Sequence, residues 1–218
     1  MMPNRAVIFD MDGVIVDSES RHEQAFRDTV SAIGFGEKHD INFQEYVGRS
    51  DRELWEAFFT AHSPGHSMME LLEMKTQRVI DILRRDRPVF DGLSQLVSRL
   101  SSHYRLGLAS GSERPIVETV LDLDDLRRFF SATVTCGDVQ RGKPDPEIFL
   151  RAAGLLEVKP ANCWVIEDSK PGIAAGLAAG MRVIAIANTH PAAELIQAHH
   201  VVRTYEEISR LLLPNIPC

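Results

Sequence analysis

Four short segments carry residue types that could do chemistry together. Asp10-Met11-Asp12-Gly13-Val14 sets two carboxylates two residues apart, with a glycine behind them. Ala109-Ser110-Gly111-Ser112 offers hydroxyls with small neighbours, and Gly142-Lys143-Pro144-Asp145-Pro146 holds a lysine in stiff backbone. Val165-Ile166-Glu167-Asp168-Ser169 ends an apolar run in two more carboxylates. Paired carboxylates can divide the work of nucleophile and general acid/base. Hydroxyls and free amides at a helix start hold phosphate oxygens. A fixed ammonium neutralises charge on a phosphoryl group. Asp10 with Asp168 suits Mg²⁺, which prefers hard oxygen ligands. Each segment also has an ordinary reading alone: an Asp-rich turn, a helix N-cap by Ser112, a solvated loop lysine, acidic residues at a helix start.

What joins the segments is their position. Arg5 to Phe9 is a short apolar run that stops at Asp10, and similar runs occupy 106–109, 164–166 and 183–187, with a weaker one at 132–135. A run apolar at every position predicts a strand covered on both faces, as in a parallel sheet. Helical periodicity fills the intervals at 93–100, 116–123, 147–156 and 172–179. Alternation of this kind predicts βαβ units and a three-layer α/β/α core. Open parallel sheets bind ligands beyond the carboxyl ends of their strands, and all four segments fall at such ends.

One stretch breaks the alternation. From Ser18 to about Arg87 the pattern is helical throughout, with helices expected at 20–33, 51–59 and 68–83, and Ser50 as N-cap of the second. Pro88 closes the stretch. The expected organisation is a discontinuous core, 1–16 plus 89–218, with a helical cap at 17–88 hinged near Asp17 and Pro88. Trp55, Phe58 and Phe59 fall at helical spacing and are expected in the cap's own core, as are Met68, Met69 and Met74. His199-His200 is expected on the surface near a helix end.

Composition excludes several classes. The 218 residues carry a net charge of −7, with 44% hydrophobic and 25% charged residues. An acidic surface is repelled by nucleic acid and by anionic membrane, so neither is an expected partner. No run approaches the roughly 18 apolar residues that span a bilayer, and Met1 to Asp10 has no signal-peptide pattern. Cys136, Cys163 and Cys218 are widely spaced and form no metal pattern, which fits reduced thiols in the cytoplasm.

The four motifs, in this order, resemble those of the haloacid dehalogenase-like phosphatases, and within them the branch whose helical cap follows the first motif. That branch includes sugar-phosphate phosphatases and β-phosphoglucomutase. The resemblance covers nearly the whole chain. It implies a Rossmann-like core, a small phosphate ester as the partner, Mg²⁺ as cofactor and a monomer. It further implies Asp10 as nucleophile and Asp12 as acid, then base. Ser110, Gly111 and Ser112 would bind phosphate oxygens, and Lys143 would offset charge. Metal ligands would be Asp10, Asp12 (through its backbone carbonyl) and Asp168, with Glu167 direct or through water.

Asp12 favours phosphoryl transfer over dehalogenation or phosphonate cleavage, because a leaving oxygen needs a proton. The cap lysines, Lys38 and Lys75, sit by no recognisable motif. Arg49, Arg52 and His22 are candidate cap-side substrate contacts. Mutases carry a lysine just after the second-motif serines to grip a far phosphate; here Glu113 stands there, followed by Arg114. The readings are therefore a phosphatase of small phosphorylated metabolites first (sugar phosphates or phosphogluconate-like esters), a mutase second, and a retired scaffold used for binding as a remote third.

Overall fold

The computed structural model describes residues 4–36, 38, 40–46 and 51–213. Six parallel strands form one sheet in the order β3-β2-β1-β4-β5-β6. They are β1 (Ala6–Phe9), β2 (Arg105–Ala109), β3 (Phe130–Val134), β4 (Cys163–Glu167), β5 (Arg182–Ile186) and β6 (His200–Val202). Alternating side chains serve opposite faces. Val7, Phe9, Trp164 and Ile166 pack into one core cluster with residues of α4 (Leu93–Ser101), α5 (Arg114–Asp122) and α8 (Tyr205–Leu212). Ala6, Ile8, Cys163 and Val165 pack into another with α6 (Glu147–Leu155) and α7 (Lys170–Ala178). Both faces are thus covered by helices, which is why β1 and β4 read as continuous apolar runs rather than alternating ones. This is the Rossmann-like three-layer core expected.

Between β1 and α4 lie three helices: α1 (Glu19–Ala32), α2 (Asp51–Ala61) and α3 (Met68–Asp86). No strand is assigned between Asp17 and Pro88 among the described residues. These helices share a separate cluster around Phe26, Leu54, Trp55, Phe58 and Leu71, with Phe59, Met68 and Met74 packed against it. Ser67 begins α3 with a reciprocal capping box to Glu70. The far half of α3 (Val79, Ile80, Ile82, Leu83) joins the sheet's core cluster instead, anchoring the inserted helices to the sheet layer. Where the chain leaves and re-enters the sheet layer, Val16 bridges Val89 and the Asp17 amide donates to the Pro88 carbonyl at 2.9 Å.

Two expectations are corrected. Met69 does not pack between helices; it is 71% exposed, because it lies off the apolar stripe that carries Leu71 inward. His199 and His200 are exposed, as expected, but sit at no helix end: His200 starts the edge strand β6, and the His199 ring accepts the Val183 amide at 3.1 Å. A three-residue edge strand with a half-polar pattern gives periodicity too little to act on. Ser50 and Cys218 lie outside the described residues, while Cys136 and Cys163 are free thiols.

Candidate active site

The strand order reverses direction between β1 and β4, and the four motifs meet beyond the ends of the central strands. The Asp10 amide donates to the Ile166 carbonyl, and the Ser110 amide to the Val134 carbonyl, so both residues extend the sheet's pairing just past its edge. After Asp10 the chain turns tightly, with Val14 and Ile15 amides returning to the Met11 carbonyl. Gly13 has φ +74° and faces Asp168: a Cβ there would lie 1.9 Å from Asp168 Oδ2. Only glycine permits both the turn and that approach. Asn188 fastens the Gly13 carbonyl at 2.8 Å and the Tyr205 hydroxyl fastens that of Val14 at 2.7 Å.

Lys143 lies at the centre of the charges. Its ammonium pairs with Asp10 and, at 2.7 Å, with Glu167 Oε1. Burial works against its charge, but these two carboxylates hold its pKa well above the ordinary lysine range. The other Glu167 oxygen accepts from the Asp168 amide (2.8 Å), the Ser169 amide (2.7 Å) and the Ser169 hydroxyl (2.8 Å). Gly172 makes room for this carboxylate at the start of α7, since a Cβ would fall 1.6 Å from Glu167 Oε1. Glu167 is fully buried and has donors on both oxygens.

Asp10, Glu167 and Asp168 are buried together, each with a carboxylate oxygen within 4.8 Å of the others. Burial raises Asp10 to about 8, Lys143 pulling it down and Glu167 and Asp12 pushing it up. Asp168 is likewise raised by burial and by its carboxylate neighbours, although the Thr189 hydroxyl bonds to it. Clustered carboxylates of this kind call for a cation, and their hard oxygens fit Mg²⁺. Asp10 and Asp168 retain oxygens to offer it. Glu167 is engaged by Lys143, two amides and Ser169, which suits an outer role.

Asp12 has a different environment. Its Oδ2 accepts from the Ser112 hydroxyl (2.8 Å) and the Ser110 hydroxyl (3.3 Å), and its Oδ1 from Ser18. Burial opposes ionisation, but donors from His22, Ser18 and Ser112 hold this carboxyl well below the usual range. His22 Nε2 points at Asp12 Oδ1 from 3.6 Å, and its Nδ1 lies 3.0 Å from the Lys75 ammonium. An ammonium cannot accept, so Nδ1 does and Nε2 carries the ring proton. Lys75 is fully buried on α3 and paired with Asp51 at the head of α2.

A cleft of about 810 Å³ opens from this cluster toward the helices. Asp10, Asp12, Gly111, Ser112, Lys143, Glu167, Asp168, His22 and Arg52 line it; Ser110 is buried behind it. Arg52 turns its guanidinium to Met68 Sδ at 3.9 Å. Arg49 lies outside the described residues. Sequence reasoning gave Lys75 and Ser18 no place in the site, and passed over Thr189 and the clustering of Glu19 with Asp51. Lys75 had a readable signal: it interrupts the apolar stripe Leu71–Lys75–Val79, and a lysine there needs buried partners. Ser18 and Thr189 had none, since their partners are set by the turn geometry.

The model of the haloacid dehalogenase-like hydrolases matches residues 4–180. Hexitol phosphatase B of Escherichia coli K12 is 34% identical over 185 residues, covering 83% of this chain and 82% of that one. The β-phosphoglucomutase of Bacillus subtilis is 31% identical over 220 residues, covering 96% and 93%. Among solved structures, a β-phosphoglucomutase from Clostridium difficile superposes with a TM-score of 0.77 at 28% identity, over 96% of each chain.

Proposed function

The chain belongs to the haloacid dehalogenase-like hydrolases, and on that footing we propose that it is a Mg²⁺-dependent phosphatase of small phosphorylated metabolites, sugar phosphates above all. The observation that carries this reading is the pairing of Lys143 with Asp10 beside Asp168, with Asp12 held two residues on. Asp10 attacks phosphorus in line, its oxygen forming the new P–O bond as the bond to the leaving alkoxide breaks. Lys143 lessens the repulsion between this carboxylate and the phosphate dianion. Asp12, protonated at that stage, gives its proton to the alkoxide. As a carboxylate it then takes a proton from the water that hydrolyses the aspartyl-phosphate, regenerating Asp10 and releasing phosphate. The serine donors around Asp12 favour the second of these forms. Ser112 and the Gly111 amide face the cleft, where they can meet phosphate oxygens. Asp10, the Asp12 carbonyl and Asp168 would hold Mg²⁺, which would supply charge stabilisation and phosphate orientation.

The helices at 17–88 serve in this reading as a cap that selects the ester and excludes water. Mutase chemistry is the second reading, favoured by the extent of likeness to the B. subtilis enzyme and opposed by Glu113 after the serines. The deciding experiment follows phosphate release from a panel of sugar phosphates with Mg²⁺, beside Asp10→Asn and a chelator control. Metal-dependent release that falls by roughly four orders of magnitude in Asp10→Asn is the expected result. Full activity in that variant overturns the mechanism. Conversion of β-glucose 1-phosphate to glucose 6-phosphate, primed by the 1,6-bisphosphate and without phosphate release, would identify a mutase.

A further inference from the structure

Two consecutive residues past β5 reach two different motifs. The Ala187 amide donates to the Val202 carbonyl at 2.9 Å, so the chain is still paired beside β6 as it leaves the sheet. Asn188 Nδ2 then donates to the Gly13 carbonyl at 2.8 Å, and the Thr189 hydroxyl donates to Asp168 Oδ2. Having given its one proton to that carboxylate, the hydroxyl can only accept from His190 Nδ1, 3.0 Å away. Tyr205, the first residue of α8, donates its hydroxyl to the Val14 carbonyl at 2.7 Å and accepts from Asn188 at 3.1 Å. The capping box of Thr204 and Glu207 sets its place. Little slack separates the parts: a Cβ on Gly13 would lie 1.9 Å from Asp168 Oδ2 and 2.8 Å from Thr189 Cγ2. The turn itself does not require this clasp, because the amides of Gly13, Val14 and Ile15 already close it onto the Val16 and Met11 carbonyls.

Building on the Mg²⁺-dependent reading, we infer that Asn188, Thr189 and Tyr205 are positioning residues of the metal site, which hold the Asp12 carbonyl and Asp168 at the separation that favours Mg²⁺ over the larger Ca²⁺. These two ligands follow different strands, β1 and β4, so neither strand alone fixes the distance between them. Asn188 and Tyr205 fasten the carbonyls one and two residues after that of Asp12, and Thr189 fastens one oxygen of Asp168, leaving the other for the cation. Because Asn188 and Thr189 are neighbours in the chain, both ligands are tied to one short piece of backbone. Mg²⁺ demands near-ideal octahedral geometry with oxygens at about 2.0–2.1 Å, whereas Ca²⁺ accepts irregular shells at about 2.3–2.6 Å. A rigid separation suits the smaller ion, and loosening it penalises Mg²⁺ more than Ca²⁺. Partners that orient metal ligands commonly change affinity by about ten- to a hundredfold.

Thermal unfolding of the full chain, titrated with MgCl₂ or CaCl₂ at constant ionic strength and without substrate, gives the apparent dissociation constant of each ion and tests this. Thr189→Val removes the hydroxyl and keeps the shape, and Tyr205→Phe does the same on α8. Mg²⁺ affinity should fall about tenfold in Thr189→Val and about threefold in Tyr205→Phe, with Ca²⁺ affinity changing by less than about twofold in either. Thr189→Ser, which keeps the hydroxyl, should retain the wild-type Mg²⁺ affinity. Unfolding in chelator reports the purely structural loss separately, since a buried carbonyl or carboxylate deprived of its donor weakens the fold whether or not a metal binds. The two substitutions lie on separate elements, so either one decides if the other does not fold. Unchanged Mg²⁺ affinity, or equal losses for the two ions, overturns the inference and leaves the Mg²⁺-dependent phosphatase reading standing. A wild-type chain stabilised by neither ion removes the metal site and this inference with it.

Discussion

The two ends of the cleft handle charge in opposite ways. At the sheet end, Lys143 joins Asp10 and Glu167, Glu167 takes two amides and a hydroxyl, and Asp12 is bonded by Ser18 and both motif serines. At the helical end, Glu19 is pushed up to about 7 by burial and by Asp12, and no neighbour bonds to it among the described residues. Groups matched to one another before substrate arrives are fixed in place for the reaction. Groups left unmatched settle their electrostatics with the substrate, so they discriminate between substrates. The comparison divides the molecule by link: under the proposed function, the sheet end carries the reaction and the helical end the choice of what undergoes it.

The largest effect should come from removing the cation at the matched end. Lys143→Met retains an apolar stem but leaves two buried carboxylates facing each other and the incoming phosphate. We expect kcat on the saturating ester to fall by on the order of a hundred- to a thousandfold. Mg²⁺ is expected to restore part of the lost thermal stability, because it supplies the missing charge. A kcat within threefold of wild type would show that the matched end does not depend on its central cation.

A smaller effect is expected where the two ends connect. Lys75 on α3 holds His22 in the tautomer whose Nε2–H faces Asp12, and it also holds Asp51. Lys75→Met keeps the buried stem but releases both. Asp51 can rehydrate, its side chain being 22% exposed, so the loss of stability should be about 2 kcal/mol rather than the full cost of breaking a buried pair. Turnover should fall by about tenfold as the His22 ring loses its fixed orientation. Steady-state kinetics and thermal unfolding measure the two effects separately, and stability loss without any change in turnover would leave Lys75 a purely structural residue.

The same division explains what could be read from the sequence. The sheet end was legible because its chemistry is local: each of Asp10, Ser110, Lys143 and Glu167-Asp168 follows a strand or loop that its own neighbours define. Parallel strands buried on both faces show as unbroken apolar runs, and strand ends locate the site without any tertiary knowledge. The helical end was not legible in that way. Lys75 and His22 are 53 positions apart and meet only through the packing of α1 on α3. Glu19, Asp51 and Glu113 look like ordinary helix-start carboxylates until the cleft collects them. Gly172 reads as a small residue in an Ala-rich helix, yet its missing Cβ is what admits the Glu167 carboxylate.

The smallest effect expected is a pH-dependent response to metal at the matched end. Asp10 is raised to about 8 in the folded chain, against an ordinary value near 4, and Asp168 is raised as well. Between those limits the folded protein holds protons that the unfolded chain releases, so stability without metal falls as pH rises from about 5 to 8. Mg²⁺ competes with those protons for the same oxygens, and its binding strengthens over the same range. Thermal unfolding at pH 5.5 and pH 8, with chelator and with millimolar Mg²⁺, should show a stabilisation of a few degrees at the higher pH and little at the lower. Na⁺ at matched ionic strength controls for screening. A shift equal at both pH values would mean that the cation binds elsewhere, and that the protons on Asp10 and Asp168 are not what it displaces.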